Sequence, residues 1–275
     1  MRVPSTSEES VMSQPNISAA NAEFWDELCG STRAKLLGVS DSSPASLKKF
    51  DDWYFKYYPY LFDHIPFAEL RGRDVLEIGL GYGTVSQKLA ESGARYQGLD
   101  IAAGPVAMAN HRLRQAGLPG LAVQGSILTP PFAPESFDVV VTIGCLHHTG
   151  DIPAAIARCR ALLRPGGYLI VMLYYAYSYK RWLKEPLTTL DYFRRERAGY
   201  RGVVAHHSTA ARADFDVNLA GQAAPHTDWI SVTSLREMCH DFTSFDAALE
   251  NLYLGPIPEG VRRALLTSPL ARYSG

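Results

Sequence analysis

Between residues 70 and 174 short apolar runs alternate with stretches whose apolar positions recur at helical spacing. The runs lie near 74 to 79, 95 to 100, 121 to 124, 137 to 143 and 168 to 174, and the helical stretches near 84 to 91, 104 to 116 and 152 to 162. Continuous apolar runs suit strands buried on both faces, so the pattern predicts an α/β core with a doubly wound, mostly parallel sheet. Ahead of it, residues 21–69 predict a helical lid. Phe50, Trp53, Tyr54, Tyr57, Tyr58 and Leu61 recur near helical spacing, and Ser43-Pro44 reads as a helix cap and first helical position. Residues 1–20 are Ser-rich and polar and read as a disordered tail. Residues 175–230 are too long for a simple connection and predict a cap inserted after the fifth strand. Residues 231–275 return to the core, with a helix over 231 to 239, a sixth strand over 242 to 252 and a short helix over 258 to 266.

The most specific chemistry lies where the first run ends. Asp74-Val75-Leu76-Glu77-Ile78 leads into Gly79-Leu80-Gly81-Tyr82-Gly83, and the following helix, with Thr84 as its expected cap, directs its first amides at the same crevice. A dinucleotide fingerprint places its third glycine where Thr84 stands, which disfavours a nicotinamide cofactor. Asp100 closes the second run, where a carboxylate can accept from both hydroxyls of a ribose.

Together with Phe137–Ile143, the loop Gly144-Cys145-Leu146-His147-His148-Thr149 and the turn Leu163-Arg164-Pro165-Gly166-Gly167, these residues resemble class I S-adenosylmethionine-dependent methyltransferases. The resemblance covers roughly residues 70 to 175. It implies a Rossmann-like core and S-adenosylmethionine as cofactor, with S-adenosylhomocysteine as product. It further implies cofactor contacts from Glu77, Gly79, Gly81, Gly83, Asp100, Ile101, Ser126, Ile127 and Gly144. Ser126 is a departure, since many relatives carry an aspartate there to accept from the adenine amino group. The family usually closes its sheet with an antiparallel strand, and no segment after Ser268 reads as one.

Methyl transfer needs an aligned nucleophile and, where the acceptor carries a proton, a base. His147, at the expected cofactor rim, is one candidate; His226 with Asp228 in the cap is the other. His148 reads as a buried, backbone-bonded histidine or a wall of the acceptor pocket. Tyr54 and Tyr58 of the lid, and Tyr174, Tyr175 and Tyr179 after the fifth strand, are candidate acceptor-pocket residues. A catalytic metal is not expected. His206, His207, Asp214 and Asp216 lack helical ligand spacing, and Cys145-Leu146 stands where magnesium-dependent relatives carry Asp-Asn.

Composition narrows the choice of substrate. A net charge of −1 gives no electrostatic case for nucleic acid, and 47% hydrophobic content over 275 residues suffices for one substantial core. Four cysteines without C-x-x-C spacing suit reduced thiols and a cytoplasmic setting. No apolar run reaches membrane-spanning length. These features predict methyl transfer to a small organic acceptor of the natural-product or secondary-metabolite type, without nucleic-acid or membrane partners and with a homodimer as one way to cover the sheet edge. The alternatives are a protein or nucleic-acid methyltransferase, favoured by a wide basic cleft, and a non-catalytic cofactor-binding protein, favoured by a blocked acceptor pocket.

Overall fold

The structure is a computed structural model that describes residues 12–204, 208–251, 260, 261 and 264. Five strands form one parallel sheet: β1 (Asp74–Ile78), β2 (Arg95–Asp100), β3 (Leu121–Gln124), β4 (Phe137–Ile143) and β5 (Leu163–Met172), in the order β3-β2-β1-β4-β5. The chain winds outward from β1 through β2 to β3, then returns to place β4 on the other side of β1. The crevice at the carboxyl ends of β1 and β4 is therefore the topological switch point, where open parallel sheets take their ligands.

Successive strand residues are buried on opposite faces. Val75, Tyr96, Val139 and Val141 pack with Val85 and Leu89 of helix α5 (Thr84–Glu91), while Leu76, Ile78, Leu99 and Val140 pack with Ile156 and Cys159 of helix α7 (Ile152–Leu162). Helix α6 (Ala103–Gln115) covers β2 and β3. β5 starts five residues earlier than its apolar run, because Leu163 pairs with Phe137 ahead of an irregularity that the Pro-Gly-Gly turn accommodates.

The lid holds α1 (Gln14–Phe24), α2 (Ser31–Leu36), α3 (Pro44–Tyr57) and α4 (Leu61–His64). As expected, Ser43 caps α3 by accepting from the Ser46 amide, with Pro44 in its first turn. Asp51 on α3 takes a bidentate contact from Arg112 on α6, both N···O distances 2.9 Å, and the Thr84 hydroxyl at 2.6 Å, which fastens lid to core. Two expectations need correcting. Helix α1 begins at Gln14, inside the stretch read as a disordered tail, because Ile17 and Asn21 are buried against the core. Thr84 is not the cap of α5; Gly83 is, in a left-handed conformation, and the Thr84 hydroxyl is committed to Asp51.

The cap carries α8 (Tyr179–Lys184), α9 (Pro186–Arg197) and α10 (Thr209–Ala213) around its own small core of Tyr177, Tyr192, Val204 and Trp229. It starts and ends beside the sheet, where Tyr175 bridges to Ile230. Helix α11 (Val232–Met238) follows. The sixth strand expected over 242 to 252 does not form among the described residues, although Phe242 and Phe245 pack against the core. Too few apolar positions alternate there to hold a ladder beside β5. The helix expected over 258 to 266 lies largely outside the described residues, as does any strand after Ser268. No helix among the described residues is long and apolar enough to cross a membrane.

Candidate active site

A cavity opens at the switch point, walled by the glycine turn after β1, the end of β2, the loops after β3 and β4, and the lid. Glu77, Gly79, Gly81, Asp100, Ile101, Ser126, Ile127 and Gly144 all line it. Gly83 does not. A side chain there would come within 3.0 Å of the Arg112 Cδ and 3.2 Å of the Ala109 Cα, so its role is to let α6 approach the turn. At Gly79, with φ +82°, an added Cβ would stand 2.5 Å from that of Cys145, so this glycine lets the two loops meet. At Gly81, with φ +49°, the nearest atom is 3.7 Å away, and the bare backbone faces open cavity.

The two buried carboxylates differ in what they can accept. Asp100 takes the Leu80 amide on Oδ2 at 2.7 Å and the Ala102 amide on Oδ1 at 2.9 Å, so each oxygen keeps acceptor capacity for a hydroxyl. Burial lifts its pKa to about 6, against the lowering effect of the backbone amides of Ala102, Leu80 and Ile101. Glu77 accepts from the Ser86 hydroxyl at 2.5 Å and the Tyr96 hydroxyl at 2.7 Å, both on Oε2. Burial nonetheless pushes its pKa to about 8, so the carboxyl is largely protonated at neutral pH until a cation approaches. A glycine turn open to ligand, a carboxylate with spare acceptor sites and a buried acid awaiting a positive group fit the ribose and amino acid ends of an adenosyl amino acid. Ser126 uses its hydroxyl oxygen to accept from the Leu128 amide at 3.2 Å, a local turn beside the expected adenine position.

The histidines divide differently from their order in the sequence. His148, not His147, lines the cavity. Its Nδ1 is 2.7 Å from the His226 carbonyl, and its ring packs against Trp25 with centroids 4.7 Å apart. His147 lies fully buried behind it, stacked on Tyr174 at 3.9 Å, and burial holds its pKa well below the ordinary value. His226 Nε2 stands 3.0 Å from the Asp228 carboxylate, and neither residue is on the cavity wall.

Of the candidate acceptor-pocket tyrosines, Tyr54 lines the cavity; Tyr58 packs on Tyr54, 4.8 Å between centroids. Tyr174 donates to Asp216 at 2.9 Å, which ties the cap to the end of β5. Tyr175 belongs to the cap cluster beside Tyr177, and Tyr179 opens α8, away from the cavity wall. Sequence reasoning missed Ser18, Asn21, Trp25 and Phe50, which roof the cavity from the lid. The sequence signal for the first three was the i, i+4, i+8 spacing of Ile17, Asn21 and Trp25 in a stretch dominated by polar residues, and for Phe50 the aromatic repeat of the lid.

Residues 76–171 match the family described as a methyltransferase domain. Residues 76–171 thus form a methyltransferase domain on the parallel sheet. Over 109 residues the chain is 34% identical to the ubiquinone biosynthesis O-methyltransferase of Stutzerimonas stutzeri (strain A1501), a match covering 38% of this chain and 44% of that protein. The protein of the same name from Azorhizobium caulinodans is 28% identical over 153 residues, 56% of this chain and 58% of that one. The chain thus spans about half the length of the curated relatives it matches. Among solved structures, the PH0226 protein from Pyrococcus horikoshii OT3 aligns over 74% of this chain and 87% of its own, with 16% identity and a TM-score of 0.49. The order and direction of the strands establish the fold without that superposition.

Proposed function

We propose that the protein transfers the methyl group of S-adenosylmethionine to a small organic acceptor. The observation that carries this reading is the meeting of Glu77, Gly81 and Asp100 around one cavity at the switch point of a methyltransferase-domain sheet. The chain's similarity to ubiquinone biosynthesis O-methyltransferases supports an oxygen acceptor, because the match spans the core that would hold the cofactor and align the methyl group.

When bound, the cofactor supplies a methyl group already activated by its sulfonium. The protein's share is then binding, alignment and exclusion of water. Asp100 accepts the ribose hydroxyls, the Gly79-Gly81 turn lets the backbone lie against the ligand, and Glu77 gives up its proton to face the amino group. Ile101, Ser126, Ile127 and Gly144 frame the base and the sulfur. The lid residues Trp25, Phe50 and Tyr54 close the remaining side with aromatic surface, which suits an apolar or planar acceptor and disfavours a polymer.

His226, beside Asp228, lies off the cavity wall and behind His148, so it is the base only for a hydroxyl acceptor that extends from the cavity toward the cap. His147, sealed behind His148, supports the loop.

The test is a screen of the purified chain with S-adenosylmethionine against a panel of hydroxylated metabolites, reading cofactor consumption and a one-methyl mass gain. Transfer to a small acceptor is expected. Methylation of added protein or nucleic acid with no small-molecule product would overturn the reading.

A further inference from the structure

Two segments far apart in sequence bring three metal-ligating side chains together at the edge of the cavity. His147 and His148 follow β4, and Asp216 comes from the cap. One ligand atom from each lies within 4.8 Å of the other two, and His148 Nε2 is 3.7 Å from Asp216 Oδ2. Donors around a tetrahedral ion, with bonds of about 2.0–2.2 Å, stand roughly 3.3–3.5 Å apart, so a small contraction would bring this set to bonding distance.

The hydrogen-bond pattern is a second observation. His148 donates from Nδ1 to the His226 carbonyl at 2.7 Å, so in the neutral ring Nε2 is the nitrogen that carries the lone pair. That lone pair faces a carboxylate oxygen, with no hydrogen bond between them although the histidine is nearly sealed from solvent. An imidazole nitrogen and a carboxylate oxygen turned toward each other are bridged by a proton or by a metal cation. His147 adds to the deficit: it is fully buried, and neither ring nitrogen has a hydrogen-bond partner. An orphaned polar atom of this kind costs about 1–3 kcal/mol, so three nitrogens left without partners in one place call for an explanation. The surrounding bonds match those of metal-bound residues. A ligating histidine usually anchors its second nitrogen on a carbonyl or carboxylate, as His148 does, and Asp216 is itself held by the Tyr174 hydroxyl at 2.9 Å.

We propose that His147, His148 and Asp216 bind one divalent first-row transition-metal ion, through imidazole nitrogen and carboxylate oxygen. Two neutral imidazoles and one carboxylate suit zinc or iron(II) better than magnesium, which favours an all-oxygen set. Three protein donors leave a tetrahedral ion one position for solvent or for an acceptor oxygen. Because His148 also lines the cavity, the ion would stand where cofactor pocket, lid and cap meet. The spacing of Asp216 from His206 and His207 gave no sign of this, since its partners are 68 and 69 residues earlier in the chain.

The site goes beyond methyl transfer, and its test needs neither cofactor nor acceptor, so its failure would leave the proposed activity standing. The full chain, stripped with a chelator, is dialysed against zinc and assayed for metal content, then titrated with cobalt(II) and read by visible absorption. One zinc per chain is expected, with cobalt bands of nitrogen and oxygen ligation. His148→Gln and Asp216→Asn should each weaken zinc binding at least about tenfold, while Cys29→Ser leaves it unchanged. Absence of stoichiometric zinc in the wild-type chain, a thiolate-to-cobalt charge-transfer band, or undiminished affinity in both folded variants would overturn the proposal. If either variant fails to fold by circular dichroism, the wild-type cobalt spectrum decides.

Discussion

The side-chain amide of Asn21 donates to the backbone carbonyl of His148 at 2.7 Å, across 127 residues of sequence, and so locks the lid onto the loop that leaves β4. Asn21 is buried, and its amide oxygen accepts from the Trp25 indole at 3.2 Å. Asn21→Leu removes both bonds and leaves a buried carbonyl unpaired, at an expected stability cost of about 1–3 kcal/mol. The urea midpoint should fall with the slope unchanged. Because Trp25 and His148 both face the cavity, the acceptor KM should rise more than kcat falls; equal stability in the variant would show that the lid is held by other contacts.

Glu77 should make the cofactor-free protein sensitive to alkali. Its folded pKa, about 8, lies above its ordinary value of 4.5, so its contribution to stability is complete below pH 4.5 and disappears as pH rises through 8. Glu77→Gln keeps a neutral acceptor for Ser86 and Tyr96. Its melting temperature should match wild type near pH 5 and exceed it near pH 8.5, while cofactor affinity is lost. A variant less stable than wild type at both pH values would refute this account.

Asp74 works in the opposite direction at the other end of the sheet. Arg95 binds it first and Arg164 second, and they hold its pKa down at about 2, against an ordinary 3.8. The stability it contributes is present above pH 3.8 and is lost as pH falls toward 2. Arg95 is largely exposed, so screening limits the contribution to about 1 kcal/mol. Asp74→Asn should therefore flatten the acid side of the stability profile in low salt, and half-molar salt should shrink the difference.

For proton removal, His226→Ala should lower kcat by about 10² to 10⁴ with cofactor affinity near wild type. Stopped turnover without loss of binding supports the role. Rates near wild type would leave alignment and desolvation as the sources of catalysis, with solvent receiving the proton.

Much of the core was legible because its signals are local. The apolar runs ending at Ile78, Asp100, Gln124 and Ile143 became strands within one residue of their expected ends, and the Ser43-Pro44 cap needed no tertiary context. The glycine turn and Asp100 were legible as a candidate cofactor site because that chemistry stands at two adjacent strand ends, those of β1 and β2. The lid was misread at Gln14 because its helix is polar overall and is stabilised by a few long-range contacts, such as those of Ile17 and Asn21. Placement of the histidines was not legible at all. Whether His147 or His148 meets the cavity depends on how a single turn of the loop is rotated, and Asp216 joins them through the fold of the cap.

The most direct test of the central claim is calorimetric titration of the purified chain with S-adenosylhomocysteine near pH 7.5, above the pKa of about 6 that burial gives Asp100. The account predicts one site per chain in the wild type. Asp100→Ala should weaken it by about 1.5–3 kcal/mol, roughly 10- to 150-fold, and Gly81→Val should abolish it in a folded protein. No binding by the wild type, or equal binding by both folded variants, would contradict the assignment of this cavity to the cofactor.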